Sequence, residues 1–137
     1  MVLYELTTKA LDTAAPAVGT GPVIMVNQLW FRPEVAYSES VNNPQPNARS
    51  ALYQGYVPAF SQVAQELGIA GIEPVYVGHR AAGLVASAED DWDDLVIVRY
   101  RSFDDFRKIV ESEQYARLAK PHHRAAVSRW RITATTD

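Results

Sequence analysis

The chain has 137 residues, of which 47% are hydrophobic and 21% charged, and this is the size and composition of one ordinary globular domain. Its formal net charge of −3 gives no basic surface of the kind that binds nucleic acid, and no apolar run approaches the roughly 18 residues of a membrane span. It has no cysteine, which excludes disulfides, thiolate nucleophiles and cysteine-ligated metals. We therefore expect a cytoplasmic protein that binds neither nucleic acid nor a membrane.

The first 20 residues are predicted to be an N-terminal extension with a short helix over 6–15, capped by Thr7 or Thr8. Residues 21–31, GPVIMVNQLWF, are apolar on both alternating faces, which predicts a central strand. The next segment, 32–50, is polar and holds three prolines. We expect it to be a mobile loop or a lid.

Apolar residues recur at three and four positions from Tyr53 to Leu67, which predicts a helix with one buried face. Pro58 lies inside this pattern, so the helix is expected to be kinked or to start late. Residues 71–79 have the composition of a strand, and GLVAS at 83–87 is predicted to continue the extended run.

An acidic turn is predicted over 88–94, followed by a buried strand over 95–101. Ser102 is the expected N-cap of the next helix, which should end by Lys120 because Pro121 cannot continue it. Residues 126–134 are predicted to form the final strand. After the N-terminal extension, the order of elements is therefore strand, helix, strand, strand, helix, strand.

This order predicts an α+β, ferredoxin-like βαββαβ fold, in which a four-stranded antiparallel sheet carries two main helices on one face. All 137 residues are expected to form this single domain. The other face of the sheet is too apolar to lie in water, and the chain has no further element to cover it. A homodimer formed through the sheet is the simplest solution.

Three stretches resemble, in order and spacing, a bacterial family of unknown function within the dimeric α/β-barrel superfamily. They are GPVIMVNQLWFRPEVAY, EDDWDDLVIVRYRSFDDFRKIVESEQY and HHRAAV. The resemblance implies a ferredoxin-like protomer whose sheet faces a partner's sheet, with a pocket between sheet and helices and with His123 and Arg124 at its rim. The chain departs from the family pattern at Arg99, usually acidic, and at Arg101, usually proline. The superfamily includes cofactor-free monooxygenases, lactone isomerases, polyketide cyclases and haem enzymes, so the fold does not select a reaction.

Residues 120–130, KPHHRAAVSRW, contain the strongest candidate for proton transfer. If Pro121 ends the helix, residues 122–124 form a turn in which His122 faces solvent and His123 faces inward, where burial would lower the pKa of His123. Arg124 should then pair with an acidic residue, and the candidates are Asp91, Asp93 and Glu111. The alternatives are a set of cations at the negative end of a helix, or a metal site that would also need His79 and a carboxylate.

Asn27 interrupts an apolar strand face, so it either pins the register of the strand or binds a substrate carbonyl. Arg99 requires a carboxylate partner or a bound anion. His79 is expected to lie at a strand end, and Trp92 to pack over the end of the barrel.

We therefore predict a homodimeric small-molecule protein, of the cofactor-independent isomerase, cyclase or monooxygenase type, that acts on a small carbonyl-bearing or aromatic metabolite. Its alternative is a ligand-binding protein without catalysis. Neither a cofactor nor a metal is predicted. His123 and Asn27 are the predicted catalytic residues, and the predicted substrate-binding residues are Arg99, Arg124, Trp92, Tyr100 and His79.

Overall fold

The computed structural model describes residues 5–38 and 40–137. They form two compact units that are interleaved along the chain. The first, which we call the sheet unit, contains the chain up to Trp30 together with 72–103 and 129–137. The second, which we call the helical unit, contains 31–71 and 104–128. That the whole chain is a single domain stays a prediction.

Four strands form one antiparallel sheet, as the sequence predicts: β1 Val23–Phe31, β2 Glu73–His79, β3 Asp94–Tyr100 and β4 Val127–Thr135. Their order across the sheet is β2-β3-β1-β4, so β3 lies between β1 and β2 and pairs with both. This is the order of a split βαβ fold. The sheet of one chain is open, and it does not close into a barrel by itself.

The register of β1 against β3 separates the sheet into two faces. Val23, Met25 and Leu29 on the odd-numbered side of β1 are buried. The opposite side is only partly buried and is apolar over much of its area. We call it the open face; its side chains are Ile24, Val26, Gln28, Leu95, Ile97 and Arg99.

Helix α1, Thr8–Val18, precedes the sheet, and Thr7 caps it by accepting a hydrogen bond from the Ala10 amide at 3.1 Å. The cap is confirmed, but the helix ends three residues later than the sequence predicts. Pro16 lies inside the helix, and Gly19, with φ of 80°, ends it by donating its N–H to the Ala15 carbonyl. The left-handed conformation at Gly19 is one that glycine adopts without strain.

Helix α2, Ala48–Ser50, begins the helical part of the second unit, so the loop is three residues shorter than predicted. Asn47 caps α2 by accepting from the Ser50 amide at 2.8 Å. A π-helical segment, Ala51–Tyr56, follows, and α3 runs from Val57 to Glu66.

The second helical run contains α4 Phe103–Val110, a π-helical segment Tyr115–Ala119 and α5 Lys120–Ala126. The prediction that Pro121 ends this run is wrong, because Pro121 lies in the first turn of α5. A proline is tolerated there because the amide that it lacks has no helical partner in a first turn. Residues 122–124 are therefore helical and do not form a turn.

Each π-helical segment ends two residues before a proline, and the residue between the segment and the proline closes it. The Val57 amide donates to the Leu52 carbonyl before Pro58, and the Lys120 amide donates to the Tyr115 carbonyl before Pro121. A proline ring clashes with the carbonyl four residues earlier in an α-helix. The wider π turn contains one extra residue at the place where this clash would occur, and the helix continues beyond the proline.

The predicted continuation of β2 through GLVAS is also wrong, because β2 ends at His79 and residues 80–93 form a loop. The Arg80 amide donates to the Asp93 carbonyl at 2.9 Å and closes the base of this loop. The predicted acidic turn lies within it, and Asp94 begins β3. Across the described part of the chain, none of the helices combines the length and the apolar character that spanning a bilayer requires.

Candidate functional site

A histidine and a carboxylate meet where β2 ends and β3 begins. His79 and Asp94 are partners in the antiparallel register, and His79 Nδ1 lies 2.9 Å from Asp94 Oδ1. The Asp94 side chain is fully buried, whereas the His79 side chain is 68% exposed. Because an ionised carboxylate only accepts hydrogen bonds, His79 donates through Nδ1, and this fixes the tautomer that carries a lone pair on Nε2.

The side chain of Asn27 links the three strands at the centre and one edge of the sheet. Its Nδ2 donates to the Val96 carbonyl at 3.1 Å, and its Oδ1 accepts from Trp130 Nε1 at 3.0 Å. These bonds favour the interpretation that Asn27 pins strand register. By register, Asn27 also lies on the same face of the sheet as Asp94, two residue pairs further along the strands.

Two of the other predicted binding residues of the sheet unit, Tyr100 and Arg99, lie apart from this pair. Tyr100 is buried at the far end of β3, opposite Val23. Arg99 belongs to the open face. Its cross-strand neighbour is Glu73, which has the carboxylate expected of a partner for Arg99. Trp92 is partly exposed in the loop after β2.

His123 lies in the helical unit, on α5, and it is buried as predicted. Its ring packs edge-on against Tyr56, with 4.9 Å between ring centroids. The hydroxyl groups of Tyr56 and Tyr115 lie 3.1 Å apart, within hydrogen-bonding distance. We call His123, Tyr56 and Tyr115 the tyrosine cluster; each tyrosine belongs to one π-helical segment.

The prediction that His122 faces solvent is wrong. Its side chain is buried, its Nδ1 lies 2.7 Å from the Tyr37 hydroxyl, and its Nε2 lies 3.0 Å from the Asn42 carbonyl. The carbonyl can only accept, so Nε2 carries the proton and Nδ1 accepts from Tyr37. Burial lowers the pKa of His122 below its ordinary value, although the bond to Asn42 acts in the opposite direction.

The same bonds fasten the loop between β1 and α2 to α5. Tyr37 also accepts a hydrogen bond from the Gln45 amide at 3.2 Å, and burial raises the pKa of its hydroxyl. The Arg32 and Ala36 amides donate to carbonyls of α5 at 2.8 and 3.0 Å. These contacts weigh against a freely moving lid.

Arg124 is exposed on α5, and not partly buried as the sequence analysis expects. Its carbonyl accepts a hydrogen bond from Arg32 Nε at 2.9 Å. Glu111, one of its expected partners, is instead bound by Arg107 at 2.8 Å. Another expected partner, Asp91, accepts from the Trp30 indole at 3.0 Å.

Sequence reasoning missed Asp94 and Tyr37 as partners of histidines. The sequence predicts Asp94 to be the last residue of an acidic turn, whereas in the structure it is the first residue of β3. Only the register between β2 and β3 identifies its partner. Across residues 5–38 and 40–137, no three histidine or acidic side chains converge in the way that a metal ion requires.

No family model matches the sequence, and no curated protein matches it. Two solved structures of the RPA0582 protein, one of them methylated, resemble the chain with TM-scores of 0.79 and 0.78. One is described as a protein of unknown function from Rhodopseudomonas palustris. Each is 23% identical to this chain, and each match covers 98% of it. The two matches cover 94% and 95% of the neighbours' own chains.

A third structure, from Bacteroides fragilis, is described as a dimeric protein of unknown function with a ferredoxin-like fold. It has a TM-score of 0.51 and 12% identity, and the match covers 85% of this chain and 97% of the neighbour. At these identities the likeness concerns the fold alone. The chain thus has a ferredoxin-like α+β fold that it shares with proteins of unknown function.

Proposed function

We propose that the protein is a homodimeric, cofactor-independent enzyme that moves a proton on a small carbonyl-bearing or aromatic metabolite. The observation that carries this proposal is the pair formed by His79 and Asp94. An exposed imidazole held by a fully buried carboxylate is an arrangement suited to general-base catalysis.

In this proposal, His79 Nε2 takes the proton from the carbon next to the substrate carbonyl. The imidazolium that forms is stabilised by Asp94, whose carboxylate already accepts the Nδ1 hydrogen. The base is the neutral form of the imidazole, because its Nε2 lone pair accepts the proton. Isomerisation, cyclisation and oxygenation of an acidic carbon all begin with this step.

The remaining predicted site residues have supporting roles in the proposal. Asn27 uses one N–H and one oxygen lone pair within the sheet, and its second N–H is suited to polarise a substrate oxygen. His123, in the tyrosine cluster, is the second acid–base candidate. That Arg99 and Arg124 bind an anionic group of a ligand, and that the protein is cytoplasmic, stay predictions from the sequence.

The homodimer is proposed to form through the open face. Ile24, Val26, Leu95 and Ile97 lie together on this face and are only partly buried. A two-fold axis would bring the same apolar patch of two chains together, and burial of apolar area then favours association by about 25 cal/mol per Å².

The experiment follows hydrogen–deuterium exchange at an acidic carbon, because this readout does not require the product to be known. Small 1,3-dicarbonyl compounds are incubated with the protein in deuterated buffer, and loss of the C–H signal is followed by NMR. We expect exchange faster than in buffer, abolition by His79→Gln and strong reduction by Asp94→Asn.

Two comparisons decide the outcome. The first is His123→Gln, whose fold is checked by circular dichroism. If His123→Gln abolishes exchange and His79→Gln does not, the tyrosine cluster carries out the proton transfer. If no wild-type exchange exceeds that of buffer, while metabolites that co-purify with the protein are detected by mass spectrometry, the protein is a ligand-binding protein without catalysis.

A further inference from the structure

Apolar side chains of β2 and the loop after it are strongly exposed. Val75, Tyr76 and Val77 expose 56, 53 and 49% of their surface, and Leu84 and Val85 expose 95 and 102%. Of the six large apolar residues that stand out as exposed in the described chain, five lie in this one segment. We call these five residues the β2 arm; an exposed apolar group of this kind marks an interaction surface.

The loop that carries Leu84 and Val85 is held in place at its base. Arg80 and Asp93 close it through a backbone hydrogen bond of 2.9 Å. Within it, the Asp90 carboxylate accepts from the Ser87 amide and hydroxyl at 3.0 and 3.1 Å. The two apolar side chains therefore project from an ordered loop.

The β2 arm is continuous with the open face of the sheet. Tyr76 is the register partner of Ile97, which belongs to the open face, whereas Val77 pairs with Val96 and lies on the opposite face of the sheet. The loop is fastened on the same side, because its Asp91 accepts from the indole of Trp30, and Trp30 shares the even-numbered side of β1 with Val26. The arm and the open face thus adjoin at Tyr76 and Ile97.

β2 is also an edge strand, since β3 is its only neighbour in the sheet order. Edge strands of soluble proteins are usually protected by charged residues, proline or a bulge. β2 has Glu73, Pro74 and a register irregularity between Pro74 and Tyr76. Its backbone edge is therefore protected against strand pairing, and the exposed apolar side chains of 75–77 are what a partner would cover.

We propose that the β2 arm binds a second copy of this chain, and that each arm in a dimer packs against the arm and the open face of its partner. This inference rests on the proposed homodimer and names the element that completes its interface. Because each arm packs against the partner's open face as well as its arm, the arms add to the apolar area that the open face offers, and burial of apolar area favours association by about 25 cal/mol per Å².

A photo-crosslinking experiment tests where the arm lies. The chain has no cysteine, so Val85→Cys creates a single thiol that can be labelled with benzophenone maleimide. On irradiation at micromolar concentration we expect a crosslinked dimer, with the crosslink mapped by mass spectrometry to the arm or open face of the second copy. The matched control, Glu113→Cys on an exposed position of the helical unit, should give little dimer.

Sedimentation equilibrium separates the arm from the rest of the interface. The double variant Leu84→Ser, Val85→Ser should raise the dimer dissociation constant by at least about tenfold, with an unchanged circular dichroism spectrum. Ile97→Glu, on the open face, tests the homodimer itself. A wild-type dimer that Ile97→Glu dissociates and the arm variant does not would overturn the arm proposal and leave the homodimer intact.

The other outcomes are equally decisive. A monomeric wild-type protein at micromolar concentration overturns the proposed homodimer, and the arm proposal with it. If the wild type floats with phosphatidylglycerol vesicles and the arm variant does not, the arm binds a lipid surface and the second copy is excluded as its occupant.

Discussion

Gly55→Ala should destabilise the protein, although alanine is the better helix former. Gly55 is buried in the first π-helical segment. A β-carbon at this position would lie 2.9 Å from Cγ and 3.0 Å from Cε1 of His122, and closer still to its Nδ1. The imidazole cannot easily move aside, because both of its nitrogens are hydrogen-bonded.

The magnitude follows from two opposing contributions to the free energy of unfolding. Helix propensity alone would stabilise the alanine variant by about 1 kcal/mol. Displacing His122 breaks two hydrogen bonds at about 1 kcal/mol each, and the polar atoms left buried without partners cost about 1–3 kcal/mol more. The sum is a loss of roughly 2–4 kcal/mol.

Urea denaturation measures this loss, with tryptophan fluorescence and far-UV circular dichroism recorded at one fixed protein concentration. Gly21→Ala is the matched control, since no atom lies within 4 Å of its β-carbon position, and its effect should stay below about 0.5 kcal/mol. Adding His122→Ala to Gly55→Ala should cost less than the two single changes together. A Gly55→Ala protein as stable as the wild type would refute the reasoning.

Three further predictions concern hydrogen bonds. Because the pKa of His122 is lowered in the folded protein, its stabilising contribution is present above about pH 6.5 and is lost as the pH falls through the folded-state pKa. The free energy of unfolding should then fall by at most about 1.4 kcal/mol per pH unit. Urea titrations of the wild type should show this slope, and a slope retained in His122→Gln would contradict it. Asn27→Leu removes the bonds to the Val96 carbonyl and from Trp130 and should cost about 2 kcal/mol, whereas Asn27→Asp keeps the acceptor for Trp130 and should cost less. Tyr115→Phe removes its bond to the Tyr56 hydroxyl and should lower the free energy of unfolding by about 1 kcal/mol; a melting temperature equal to that of the wild type would argue against this bond.

Local patterns in the sequence determine the fold class of this chain. The apolar run of residues 23–31, the helical spacing after Tyr53 and the order of elements predict the antiparallel sheet and its helices. These predictions succeed because secondary structure and burial follow from the periodicity of neighbouring residues. Thr7 is identified in the same way, since an N-cap bonds to an amide only three residues away.

The errors occur where a local rule depends on a distant contact or on the space around the backbone. Pro121 ends the predicted helix only if no π turn makes room for it, and the structure has that turn in Tyr115–Ala119. His122 is predicted to be exposed because its partners, Tyr37 and Asn42, are 85 and 80 residues away. The sequence contains these residues but not their proximity.

The pairing of His79 with Asp94 shows the same division. The sequence predicts His79 at the end of a strand and Asp94 in an acidic turn, and each prediction is nearly right on its own. Only the register of β2 against β3 places the imidazole on the carboxylate. A shift of one residue would turn the two side chains to opposite faces of the sheet, because successive side chains of a strand alternate between the faces. The candidate site is therefore decided by strand pairing, a tertiary property that the spacing of residues along one strand does not contain.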